Sequence, residues 1–340
     1  MSDRAKWLLI AIISIVALGG AGVIGVVAFQ QYQERQSAPS SVETAAPTDW
    51  ATGDRVVFRN TASGQGYGHV ASVQLSDPAG ARAVTTQACD RVDATAEEFM
   101  CLKSERGIAP SYSATLYAND GSEMEQWPLP GIPSRTRISA DGTRIATTSF
   151  VTGHSYATIG FSTETVIRSN DGEDFGNFEE WSLILDGAPA APTDRNFWGV
   201  TFVDDNTFYA TAGLTNAGIH YLVKGDVAAR TLTTVAEGVE CPSLSPDGTR
   251  IAFKATTQGS GPTVHWTPAI MDLASGQVEL LPETRSVDDQ IAWLDDDTIL
   301  YGLPREGTPG DTDVWSLAAD GSGEPEVFIE HAWSPSVVRG

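Results

Sequence analysis

Residues 242–255 read PSLSPDGTRIAFKA. An alternating apolar stretch meets a tight polar turn, Ser245-Pro246-Asp247-Gly248, and a second β-rich stretch, Arg250 to Phe253, follows at once. Asp and Gly are the residues that such a turn needs, and period-two alternation on either side is the mark of a strand, so the stretch predicts a hairpin. The pattern recurs as RISADGTRIATTSF at 137–150, VTFVDDNTFYATA at 200–212 and IAWLDDDTILYGL at 291–303.

Working outward, each hairpin is followed by two more strand-like runs around a Gly- or Asp-containing turn. Examples are HYLVKGDVAARTLTTV (220–235), AIMDLASGQVELLP (269–282) and VWSLAADGSGEPEVFIE (314–330). Each unit is then a four-stranded meander of roughly 40–50 residues, the size of a propeller blade. Unrelated hairpins in a β-sandwich are the competing arrangement, since some spacings are uneven. The ends of the region complete each other. Val56-Val57-Phe58 starts as a second-type strand with no partner before it, and HAWSPSVV (331–338) is a first-type strand without a continuation. Letting the last strand join the first blade closes the ring and removes a free edge. With a divergent hairpin at CDRVDATAEEFMCLKSE (89–105), the sequence predicts an all-β, six-bladed propeller, with seven blades the next count.

The SPDG turn followed by TRIAF resembles the repeat of TolB-type β-propellers. NFWGVTF (196–202), VECPSLSPDGTRIAFK (239–254), VDDQIAWLDD (287–296) and DVWSLAADGSG (313–323) are similar to a TolB-like, membrane-anchored group found in actinobacteria. The resemblance covers most of residues 50–340. It speaks for the fold more than for a function, because the Asp and Gly make the turn and the apolar residues make the core. TolB proper carries an α/β domain before its propeller, through which it contacts partners; a tether stands in that place here.

Residues 1–6 include Arg4 and Lys6, and residues 7–29 follow without a charge, a run long enough to cross the hydrocarbon layer as a helix. The residues predict a transmembrane anchor with a cytoplasmic N-terminus and an extracytoplasmic propeller; a signal peptide cut near Val26-Val27-Ala28 is the alternative. Residues 30–49, rich in Ser, Ala, Pro and Thr, read as a flexible linker, and residues 50–340 as the propeller. Asp and Glu number 44 against 21 Lys and Arg, a net charge of −23, which argues against nucleic acid as a partner. Almost all of that charge belongs to the propeller.

Cys89 and Cys101 flank the second hairpin and are expected to form a disulfide; Cys241 reads as a buried small residue. No G-x-S-x-G elbow and no following α/β domain supply a hydrolase site. The five histidines, His69, His154, His220, His265 and His331, have no zinc-binding spacing. Asp204-Asp205 and Asp295-Asp296-Asp297 sit where turns are expected rather than in an EF-hand spacing.

A functional site, if present, belongs at the funnel mouth, reached by residues just before each inner strand. Alignment on the turns brings there Asp90, Arg91, Arg135, Arg137, Asn196, Trp198, Glu240, Asp288, Asp289, Gln290, Glu330 and His331. This set is dominated by carboxylates. It reads as a wet, polar channel with salt bridges such as Arg135 or Arg137 to an acid; the functional alternative is a focused negative field suited to a cation, a sugar or a basic peptide. The leading expectation is a non-enzymatic module that binds another envelope protein or a cationic ligand, without a cofactor. The alternatives are a hydrolase or lyase holding Ca²⁺ through Glu240, Asn196 and Asp289, and a glycan-binding module using Trp198.

Overall fold

The computed structural model describes residues 3–340 except 47, 49, 108, 152–161, 215–217 and 261–262. His154 therefore lies outside the described residues. Six sheets, each with an antiparallel meander at its heart, are arranged in a ring, and each meander is built from consecutive strands except the first, whose innermost strand is the last of the chain. The inner strands, in order from the first blade, are Ala332–Val338, Arg91–Ala94, Ile132–Ile138, Arg195–Phe202, Glu240–Leu244 and Ala292–Trp293. Ala332–Val338 pairs antiparallel with Arg55–Asn60, so the two incomplete ends noted in the sequence close the propeller together.

Each seam between blades has its own core. Val56 and Phe58 of the first blade pack with Leu300 and Val314 of the sixth, whereas Val57, between them in sequence, packs with Val92 and Phe99 of the second. Likewise Ile251 and Phe253 face the fourth blade and Ala252 the sixth. A strand covered on both faces needs apolar residues at both parities, so runs such as RIAF are more continuously apolar than a half-exposed strand would be. Phe58, Phe99, Phe208 and Phe253 are almost wholly buried. Each such side chain stabilises the fold by roughly 1.5–3 kcal/mol through burial.

The turns are built as the sequence implies. Asp247 Oδ1 accepts from Ser245 Oγ at 2.5 Å and from Thr249 N at 3.0 Å, and Arg250 N donates to Ser245 Oγ at 3.0 Å. Gly248 supplies the left-handed φ of +71°. Ser139, Asp141 and Thr143 repeat this arrangement. Asp204 and Asp295 accept from backbone N–H groups of their own turns, which accounts for two of the acid-rich runs. The Arg that ends the motif reaches one blade forward: Arg144 Nε donates to Asp205 O at 2.9 Å, and Arg250 donates to Asp296 O at 2.5 Å while lying over the Trp293 ring.

Two blades are extended at the rim. Ser182–Leu185 and Ala188–Ala190 add to the fourth, and Thr44–Ala45 runs parallel to the outer strand of the first. The N-terminal helix spans Asp3–Ser37, eight residues past the expected end of the membrane segment, because the Gln- and Glu-containing run after Phe29 suits a helix until Pro39. Within it, Arg4–Gln31 is long and apolar enough to cross a membrane, with a mean hydropathy of 2.6, and its described side chains are exposed. Part of the expected linker rests on the first blade, where Arg82 N donates to Glu43 O at 3.1 Å; Trp50, just after it, is buried against Phe99 of the second blade.

Candidate funnel site

A meander that starts at the inner strand puts its first and third connections on one face of the disc and its second, with the link to the next blade, on the other. The Asp–Gly turns therefore occupy one face, and the segments that feed the inner strands form the funnel on the opposite face. Four inner strands carry an irregularity there, that of the third blade falling between Pro133 and Arg135. The register shifts at Trp198, at Glu240 and opposite Arg59, and Gly199, Cys241 and Ser334 all take a φ between +50° and +68°. Such bulges re-aim neighbouring side chains, here Trp198, Glu240 and Trp333.

The largest cluster lies between the fourth and sixth blades. Glu240, buried, accepts from Trp266 Nε1 at 2.9 Å and Thr256 Oγ1 at 3.0 Å, and its Oε1 lies 3.2 Å from His220 Nδ1. Burial would raise the Glu240 carboxyl, but the His220 hydrogen bond, the Lys254 charge and Trp266 hold it below the usual range. The Trp198 ring stands edge-on to His220 at 5.5 Å, in space left by Gly213, where a Cβ would come within 2.5 Å of the indole. Lys254, its side chain only 4% exposed, lies 4.3 Å from the centre of the Trp266 ring and pairs with Asp288 Oδ1 at 2.7 Å. Arg135 approaches the same oxygen at 3.7 Å and lies beside the buried thiol of Cys241.

Asp289 closes the far side. Its side chain is 1% exposed and accepts from Arg91 Nη1 at 2.9 Å and Gly302 N at 3.1 Å. Arg91 lies over the Trp333 ring, and its removal from water, reinforced by Arg135, pushes its pKa down to about 10, so it stays charged at neutral pH. Arg137 pairs with Asp93 at 3.2 Å and donates to Ile291 O across the ring at 3.0 Å.

The remaining positions do other work. Asp90 accepts from Ser104 N at 2.8 Å, Asn196 Oδ1 accepts from Thr163 N at 3.0 Å, and Gln290 donates to Val200 O at 3.1 Å. Glu330 and His331 belong to a separate cluster at the closing seam, where Arg305 pairs with Asp313 at 2.8 Å and with Glu330 at 3.1 Å. Arg305 can only donate, so its 2.9 Å contact makes His331 Nε2 an acceptor and leaves Nδ1–H to donate to Asp311, also at 2.9 Å. Cys89 and Cys101 are joined by a disulfide.

The inner-strand alignment names Glu240, Asp288 and Asp289 but misses Lys254, His220, Trp266, Trp333 and Asp93. The first three lie on second and third strands, and only the pairing of Glu240 with Lys254 across adjacent strands, or glycines such as Gly213 and Gly302 in β-rich runs, signals them. Lys254 changes the electrostatics. Four cations, Arg91, Arg135, Arg137 and Lys254, meet the four carboxylates Asp93, Glu240, Asp288 and Asp289, so the central funnel is an ion-paired belt rather than an open negative field. The three residues expected to hold Ca²⁺, Glu240, Asn196 and Asp289, each already accept protein hydrogen bonds. Among the described residues, no three His, Cys, Asp or Glu side chains are grouped as metal ligands.

No protein-family model matches the chain, and no curated protein matches it. Solved structures do. TolB from Acinetobacter baumannii is similar with a TM-score of 0.60 at 16% identity, over 86% of this chain and 68% of that one. A TolB-type protein from Agrobacterium tumefaciens gives 0.50 at 12% identity, over 83% of this chain and 91% of that one. A puromycin-hydrolyzing peptidase of Mycobacterium tuberculosis gives 0.48 at 12% identity, over 87% of this chain and 48% of that one. The two TolB-type likenesses show the fold, a TolB-like six-bladed propeller.

Proposed function

We propose that this chain is a binding module of the cell envelope, held by its N-terminal helix with the N-terminus cytoplasmic and the propeller extracytoplasmic, like the membrane-anchored actinobacterial group its repeats resemble. The partner is another envelope protein, engaged through the funnel face. The observation that carries this reading is the belt itself: its acids and bases are matched to one another across blades, which makes a rigid recognition surface rather than a set of unengaged reactive groups. Cross-linking of intact envelopes containing the full chain tests it. A discrete protein adduct that His220→Ala removes and the turn-face change Ser322→Arg leaves intact is expected. No adduct, or one indifferent to His220, would overturn the proposal.

A second reading has its own observation. Trp266 donates to Glu240 and Trp198 stands against His220, which itself contacts Glu240, so two indoles share one wall with a carboxylate, an arrangement that suits a sugar ring. Purified cell-wall polysaccharide should then perturb tryptophan fluorescence, and Trp198→Ala should weaken binding about tenfold, equivalent to roughly 1.4 kcal/mol. Unchanged affinity in that variant would remove the glycan reading.

A further inference from the structure

We propose that the propeller is held with its funnel face toward the bilayer and its acidic turn face outward. This orientation rests on the reading of Arg4–Gln31 as a membrane span. It follows from where the helix meets the disc. After the helix ends at Ser37, Ser63 Oγ donates to Pro39 O at 3.1 Å, and the backbone at Gly64, with φ +110°, runs so close to Ser40 that a Cβ would lie 3.1 Å from its Cα. Ser63 and Gly64 belong to the second connection of the first blade, which lies on the funnel face. Gln33 and Gln36, near the end of the helix, line a cavity with Gln65 and His69 of the same region.

The link is also short. Thr44 and Ala45 pair with Arg82 and Ala83, so residues 38–43 are all that separate the helix from a segment fixed to the rim. Six residues span at most about 22 Å, too little to bring the opposite face round to the membrane. The charge distribution agrees with this direction. The first and third connections carry an acid, such as Asp77, Glu97, Asp141 and Asp320, or follow directly on one that ends a strand, as after Asp226 and Asp272. An anionic lipid surface repels such a face, whereas the acids at the centre of the funnel are matched by Arg and Lys. A funnel ligand is then one presented at the lipid–water boundary.

The test uses the full chain in phosphatidylethanolamine–phosphatidylglycerol vesicles containing a headgroup spin label. A fluorophore is attached at Glu306→Cys on the funnel face or Ser322→Cys on the turn face of the same blade, with the unsubstituted chain as the labelling control. Quenching several-fold stronger at 306 than at 322 is expected. Equal quenching, or stronger quenching at 322, overturns the orientation. Retention of the chain after alkaline carbonate extraction separates the two ideas: release of the protein overturns the membrane span itself, whereas retention with the wrong quenching pattern overturns only the orientation.

Discussion

The two faces of the disc use the same carboxylates in opposite ways. On the turn face, Asp247 and Asp141 bond to hydroxyl and N–H groups two residues away, so each acid stabilises its own hairpin. In the funnel, Asp289 accepts from Arg91, 198 residues earlier in the chain, and Asp93 from Arg137, 44 residues later. Local bonds shape a blade; distant ones fix blades relative to each other. A defect should therefore stay within one hairpin on the turn face and spread around the ring in the funnel.

The sharpest way to break this contrast is Asp289→Ala. It leaves the Arg91 charge and the Gly302 N–H without their acceptor in a buried setting, and a loss of about 3–5 kcal/mol is expected in urea unfolding of the detergent-solubilised chain. A loss below about 1 kcal/mol would mean that the funnel pairs do not hold the blades together. Ser245→Ala is the matching change on the other face. It removes the hydroxyl that accepts from Arg250 N and donates to Asp247, and about 1 kcal/mol is expected, with the funnel tryptophan fluorescence unchanged.

The smallest effect is one of pH. The Ser245 and Thr249 hydrogen bonds hold the Asp247 carboxyl at about 2, against an ordinary value of 3.8. Because the folded value is the lower one, its stabilisation is complete above the unfolded value and disappears as the pH falls through that window toward 2. Asp141 and Asp204 are lowered by bonds of the same kind, after opposition from burial. Thermal unfolding between pH 5 and 2 should thus be less pH-dependent in Asp247→Asn; an unchanged slope would remove the turn carboxylates from the acid response.

This division also explains what could be read from the sequence. The hairpin turns were legible because their partners lie within five residues, and the blades because both parities of each strand are apolar. Ring closure was legible from the unmatched strands at 56–58 and 331–338. The funnel positions, Arg135 among them, followed from the repeat, but Lys254 did not: nothing near Asp288 in the chain announces it. Residue counting found an excess of acid, and the fold places much of it on the turn face while neutralising the centre of the funnel. The docking of Thr44–Ala45 was hidden for another reason, since a two-residue edge strand has no periodicity to detect.

Closure by Ala332–Val338 also sets an order of events during synthesis. The first blade's Arg55–Asn60 strand leaves the ribosome early and must wait for almost the whole remaining chain before its inner partner exists. Until then it presents an unpaired edge, the kind of surface that recruits other strands. A contact of such sequence separation forms late and slowly. The ring therefore cannot close until residues 332–338 are available to pair with Arg55–Asn60, and every seam formed before that point belongs to an open arc.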